Sequence, residues 1–141
     1  MIKRITYFII TIILFAGLFW LLSQPPKSIQ PIIGGGDTYK DYPVYDNPDL
    51  IFYWGEGCPH CENVEKWLEE NNIDQKLKIN YKEVYQNKNN QTELYTTAQQ
   101  YCPDIISNGN IGVPTGFNPI DKKCIQGDTP IIKFLSDKLT K

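Results

Sequence analysis

The chain has 141 residues, with 14 basic against 16 acidic side chains, one histidine and four cysteines. Setting aside Lys3 and Arg4, which precede the first apolar run, leaves 12 basic and 16 acidic residues, a net charge of −4 with no arginine, which argues against a nucleic-acid partner. One histidine and no clustered carboxylates exclude hydrolytic triads and multi-histidine metal sites, so His60 serves the cysteines beside it or nothing.

Ile5 to Leu22 is a stretch of 18 residues without a charge. At about 1.5 Å per residue it spans about 27 Å of a hydrocarbon core about 30 Å thick, so residues 1–22 read as a single membrane anchor. The basic pair Lys3 and Arg4 lies before the run, which favours a cytoplasmic N-terminus and an extracytoplasmic C-terminal domain at the cell membrane. Leu21-Leu22-Ser23 is a poor cleavage signal and no lipidation cysteine follows, so a retained signal-anchor is preferred to a cleaved peptide with an unusual site. Residues 23–47 carry Pro25, Pro26, Pro31, Pro43 and Gly34-Gly35-Gly36 with little apolar periodicity, the composition of a linker. The glycines follow no strand and make no phosphate loop. Residues 48–141 are left as one domain large enough for a single core.

Leu50-Ile51-Phe52-Tyr53-Trp54 reads as a buried strand, Gly55-Glu56-Gly57 as a turn, and Cys61 onward as a helix with Val64, Trp67 and Leu68 on its inner face. Between turn and helix stands Cys58-Pro59-His60-Cys61. Its first cysteine falls at a helix N-terminus, where free N–H groups and the macrodipole favour a thiolate, and Pro59 suits a first turn that needs no N–H from it. Cys58 is therefore the expected nucleophile. Cys61, one turn deeper, is the expected resolving thiol, and His60 contributes a tunable charge beside the sulfur. A zinc knuckle needs a second ligand pair, and a covalent haem site needs a histidine where Glu62 stands.

Leu77, Ile79 and Tyr81 alternate with polar residues as a second strand, and Gln86 to Gln91 read as a polar loop containing the glycosylation triplet Asn90-Gln91-Thr92. Leu94, Tyr95, Ala98, Tyr101 and Cys102 recur at helical spacing until Pro103 stops the helix. Ile111 to Phe117 form a short strand around Pro114, Asn118 to Asp121 a turn, and Lys122 to Gln126 a paired strand. Gly127-Asp128-Thr129-Pro130 cap a last helix that buries Ile131, Phe134, Leu135 and Leu139. The order is βαβ followed by αββα.

From about Asp49 to the C-terminus the chain resembles the thioredoxin superfamily, and its CPHC tetrapeptide is that of the DsbA-type disulfide oxidases. The resemblance rests on the strand-Cys58-Pro59-His60-Cys61-helix unit, on Val113-Pro114, and on the hairpin and helix that follow. It implies an α/β thioredoxin-like fold, a mixed four-stranded sheet with helices on both faces, and the apolar run Ile5 to Leu22 puts one transmembrane helix before it. It also implies a cis Pro114 packed on the dithiol and a Val113 backbone that contacts substrate. The length fits a minimal thioredoxin or glutaredoxin-like domain, with no room for the helical insertion of DsbA. The superfamily's buried acid, six residues before the first cysteine, is replaced by Phe52. Glu56 is the nearest carboxylate in sequence, either a proton relay for Cys61 or an exposed turn residue, and water is the other relay.

Cys102 and Cys124 admit three readings: a structural bridge, two buried free thiols, or a relay that exchanges with the catalytic pair. The bridge is preferred; it would close a loop of about 23 residues. The sequence thus points to a membrane-anchored thiol-disulfide oxidoreductase with no cofactor or metal beyond its redox-active disulfide. The oxidising direction is favoured, the substrates are exported cysteine-containing proteins, and a membrane redox partner recycles the dithiol. The alternatives are a carrier holding a soft, copper-type ion on Cys58, Cys61 and His60, and a redox-inert interaction module.

Overall fold

In the computed structural model, residues 42–140 are described. The Ile5–Leu22 anchor and most of the 23–47 linker lie outside the described residues. Among those described, no helix is long and apolar enough to cross a membrane.

The first strand, β1 (Leu50–Trp54), is apolar along its whole length because both of its faces are covered. Leu50 and Phe52 pack on one side against Val64 and Leu68 of helix α1 (Pro59–Glu70) and Ile131 and Leu135 of helix α3 (Asp128–Leu139). Ile51 and Tyr53 face the other side, against Leu94 of helix α2 (Lys88–Tyr101), Val84 and Phe117. The period of two along one strand thus builds two cores, one under α1 and α3 and one under α2. Four strands form the sheet in the order β2 (Ile79–Glu83), β1, β3 (Thr115–Asn118), β4 (Lys123–Gln126). β1 pairs parallel to β2 and antiparallel to β3, and β4 closes a hairpin with β3. This mixed four-stranded sheet with three helices fits a thioredoxin-like α/β fold.

Several elements differ from the sequence expectation. The stretch read as a polar loop from Gln86 is helical from Lys88. Asn87 caps it, its Oδ1 accepting from the N–H groups of Asn89 and Asn90 at 3.0 and 3.2 Å, so α2 begins on polar residues that carry no apolar period. A short 3₁₀ turn, Ile73–Gln75, buries Ile73 between α1 and β2. β3 begins at Thr115 rather than Ile111, because Pro114 has no N–H to give a ladder. The residue capping α3 is Gly127, whose φ of 96° suits glycine. Leu139, expected in the core, is exposed at the end of α3.

The described part of the linker lies on the edge of β2. Tyr42 stacks on Tyr81 with ring centroids 4.0 Å apart. The Asn80 side-chain amide donates to the Tyr45 carbonyl at 2.9 Å and accepts from the Tyr45 N–H at 2.8 Å. A side chain here does the pairing that a further strand would do on an open sheet edge.

Candidate active site

β1 runs straight into the site. After Trp54 the chain turns at Gly55-Glu56-Gly57, with Gly57 at φ 71°, and the Cys58 N–H donates to the Gly55 carbonyl at 3.2 Å. Cys58 is then the N-cap of α1 with Pro59 in the first turn. Its Sγ accepts the Cys61 N–H at 3.3 Å, an N–H that also donates to the Cys58 carbonyl at 3.0 Å, so the sulfur shares a donor of the helix terminus with its own backbone. Cys58 and Cys61 form a disulfide with their Cα atoms 5.2 Å apart. Cys61 is wholly buried while Cys58 is 7% exposed, so a partner sulfur has access to the first cysteine only.

The loop before β3 closes over the pair. The Val113–Pro114 peptide is cis, and the Val113 carbonyl oxygen lies 3.7 Å from Cys58 Sγ. Pro114 O accepts from Gly127 N–H at 2.9 Å, and the Thr115 hydroxyl donates to Gly112 O at 2.6 Å. The backbone beside the sulfur is thereby tied both to the start of α3 and to its own turn.

His60 projects from the first turn of α1 and is 71% exposed. Its Nδ1 lies 3.0 Å from Asp128 Oδ2, and that same oxygen accepts from Asn63 Nδ2 at 2.9 Å. Asp128 Oδ1 accepts the Thr129 N–H at 2.8 Å. The hydrogen bonds from His60, then Asn63, then Thr129 hold the Asp128 carboxyl well below the usual carboxylate range. In the sequence this carboxylate is only part of a helix cap. Neither Asp128 nor Asn63 carries a local signal for the role, since the contact to His60 spans 68 residues of chain.

Phe52 is buried in the core under α1, so no acid of β1 reaches the dithiol. Glu56 is exposed on the turn. The buried carboxyl at this end of the sheet is Glu83, in register with Trp54. Its oxygens accept the N–H groups of Tyr85, Gln86 and Asn87 at 2.7, 2.8 and 3.0 Å, so it organises a turn. Cys102, at the end of α2, is joined by a disulfide to Cys124 on β4, Cα atoms 6.0 Å apart, and the described residues contain no free cysteine. Among the described residues no three His, Cys, Asp or Glu side chains are placed to hold a metal ion, and His60 Nδ1 faces Asp128.

The Cys58–Cys61 disulfide at the start of α1, the cis-proline loop beside it and the mixed four-stranded sheet together fit a thioredoxin-like α/β fold. No protein-family model matches the chain, and no curated protein does. Among solved structures the chain is similar to glutaredoxin 1 from Francisella tularensis, crystallised in complex with cacodylate. The identity is 22% over 65% of this chain and 96% of that one, with a TM-score of 0.42.

Proposed function

We propose that this protein is a membrane-anchored, extracytoplasmic thiol-disulfide oxidoreductase of the thioredoxin superfamily, acting on exported proteins through Cys58 and Cys61. The observation that carries the reading is the position of Cys58: it caps α1, its Sγ accepts a backbone N–H, and it is the more exposed cysteine of the pair. An N–H directed at sulfur stabilises a thiolate more than a thiol, and a stabilised thiolate is both a better leaving group and a more populated nucleophile.

In the oxidising direction a substrate thiolate attacks Cys58 Sγ. The Cys58–Cys61 bond breaks, and its electron pair leaves on Cys61, which takes up a proton. A second substrate thiolate then attacks the substrate sulfur of the mixed disulfide and expels Cys58 as a thiolate, held by the Cys61 N–H. The substrate leaves with a disulfide and the protein with two reduced cysteines, which a membrane redox partner reoxidises. In the reducing direction Cys58 attacks a substrate disulfide and Cys61 resolves the intermediate. Phe52 offers Cys61 no proton and the Glu83 oxygens are occupied, which leaves water or the exposed Glu56 as its proton carrier. The Val113 carbonyl beside Cys58 Sγ supports a role for that backbone in positioning the incoming chain.

The proposal is tested by assaying oxidation of a reduced, unfolded protein and reduction of insulin with the full chain and its Cys58→Ser variant. The wild type exchanges disulfides in at least one assay and the variant in neither. Its couple falls between about −270 and −120 mV, on the oxidising side of that interval. Turnover by the variant at the wild-type rate would overturn the reading.

A further inference from the structure

His60 and Asp128 form a pair beside the dithiol that the exchange steps above do not use. His60 stands two residues after Cys58 in the first turn of α1, and Asp128 opens α3. Gly127, the residue before Asp128, donates its N–H to the Pro114 carbonyl at 2.9 Å, and the Val113 carbonyl before that proline lies 3.7 Å from Cys58 Sγ. The carboxylate is thus placed where the segments around the nucleophile meet: the first turn of α1, the cis-proline loop and the start of α3.

The contact fixes where the imidazole carries its proton. Asp128 is held well below the usual carboxylate range, so its oxygens only accept hydrogen bonds. Oδ2 takes the Asn63 Nδ2 hydrogen at 2.9 Å and Oδ1 the Thr129 N–H at 2.8 Å, which orients the carboxylate from both helices. His60 Nδ1, 3.0 Å from Oδ2, is therefore the donor. In the neutral imidazole this leaves the lone pair on Nε2, on a side chain that is 71% exposed. An accessible ring nitrogen whose tautomer is set by a carboxylate is the arrangement of a proton acceptor. A histidine serving only as a positive charge gains nothing from a fixed tautomer.

We infer that His60 Nε2 takes the proton of a substrate thiol as it approaches Cys58, and that Asp128 is the positioning residue that keeps Nε2 free for it. The inference rests on the thiol-disulfide activity proposed above and assigns the form in which its substrate arrives, as a thiol. A cysteine ordinarily titrates near about 8.5, so at neutral pH only a few per cent of an unfolded chain's cysteines are thiolate, the form that attacks. In the step, the substrate S–H bond breaks, its proton goes to Nε2 and its electron pair stays on sulfur. That thiolate attacks Cys58 Sγ, and the electron pair of the Cys58–Cys61 bond leaves on Cys61. The imidazolium, with Asp128 as counter-ion, then gives its proton to water. In the reverse direction it protonates the departing substrate thiolate.

The test compares two rate constants for reduction of Cys58–Cys61 in the oxidised full chain at neutral pH. One is measured with dithiothreitol, whose thiols arrive protonated, and the other with its diselenol analogue, which is already ionised and brings no proton. In each, two reagent atoms join in a cyclic disulfide or diselenide as Cys58–Cys61 takes up the electrons. Effects on the polarity or access of Cys58 itself are common to both reagents and cancel in the ratio. His60→Ala and Asp128→Asn each lower the ratio of the dithiol to the diselenol rate constant about fivefold, the size of one exposed imidazolium–thiolate pair. The double variant falls no further than His60→Ala, because Asp128 acts through His60. His60→Ala, at an exposed position, carries the test alone should Asp128→Asn not fold. An unchanged ratio in His60→Ala, or a further fall when Asp128→Asn is added to it, overturns the inference. A wild-type Cys58–Cys61 disulfide that neither reagent reduces would instead overturn the proposed activity.

Discussion

Removing the Cys102–Cys124 bridge by the double substitution Cys102→Ala/Cys124→Ala tests how far this domain depends on a cross-link outside its active site. The sequence separation is 22, which closes a loop of about 23 residues, and the chain-entropy model then assigns the bridge about 3 kcal/mol at 25 °C. Cys102 is buried and Cys124 half-buried beneath the α2 face of the sheet, so the lost sulfur contacts add to that figure. For a domain of this size about 3 kcal/mol corresponds to a fall in Tm of about 12–24 °C. The assay is urea unfolding of wild type and variant, both with Cys58–Cys61 oxidised so that only one bridge differs. Non-reducing peptide mapping of the wild type beforehand checks that Cys102 is joined to Cys124 and stays joined when Cys58–Cys61 is selectively reduced. A loss below about 1 kcal/mol, or a Cys102 peptide joined to Cys58, would refute the reasoning.

Three further outcomes follow from single contacts. Glu83→Ala removes a buried carboxyl that accepts three N–H groups of the exposed 85–87 turn and should cost about 1–3 kcal/mol in urea unfolding, whereas a loss well under about 1 kcal/mol would show that water replaces the carboxyl. His60→Ala should move the Cys58–Cys61 potential by different amounts in the wild-type and Asp128→Asn backgrounds, because the carboxylate 3.0 Å from Nδ1 and the imidazole act on the site as a hydrogen-bonded pair; strictly additive shifts would contradict this. Asp49 is partly desolvated, which alone would raise its pKa. The Lys78 N–H at 3.0 Å and Lys138 Nζ at 2.9 Å outweigh that and lower it below 3.8. With the folded-state value depressed, its contribution to stability is present above about pH 4 and lost as the pH falls further. Asp49→Asn should accordingly lower stability at neutral pH and flatten the acid limb, and an unchanged acid limb would rule the pair out as its source.

The parts of the site that were legible in the sequence are those written in consecutive residues. An apolar run covered on both faces, a turn rich in glycine, and Cys58-Pro59-His60-Cys61 follow one another directly, whereas Val113-Pro114 enters the site only through the resemblance, from a stretch that reads as strand and is loop up to Thr115. The contacts between distant segments were not legible. Asp128 looks like an ordinary helix-start residue until folding sets α3 beside α1, and only then does its carboxylate meet His60 and Asn63. Tyr85 and Gly55 sit 30 positions apart, and the need for glycine comes from the ring lying above it. The start of α2 was missed because Lys88 to Thr92 show no apolar period, and their helix depends on Asn87 and on the turn that Glu83 organises. Phe52 is the instructive opposite: its burial is plain from the run around it, and the structure puts it in the core under α1.

The assignment of Cys58 as nucleophile and Cys61 as resolving thiol is tested most directly by trapping. The full chain carrying Cys61→Ala is reduced at the active site, incubated with a protein disulfide, quenched in acid and mapped without reductant. The account predicts a mixed disulfide joined through Cys58, and none in the Cys58→Ser chain. An adduct through Cys61 in the Cys58→Ser chain, with none in Cys61→Ala, would contradict it.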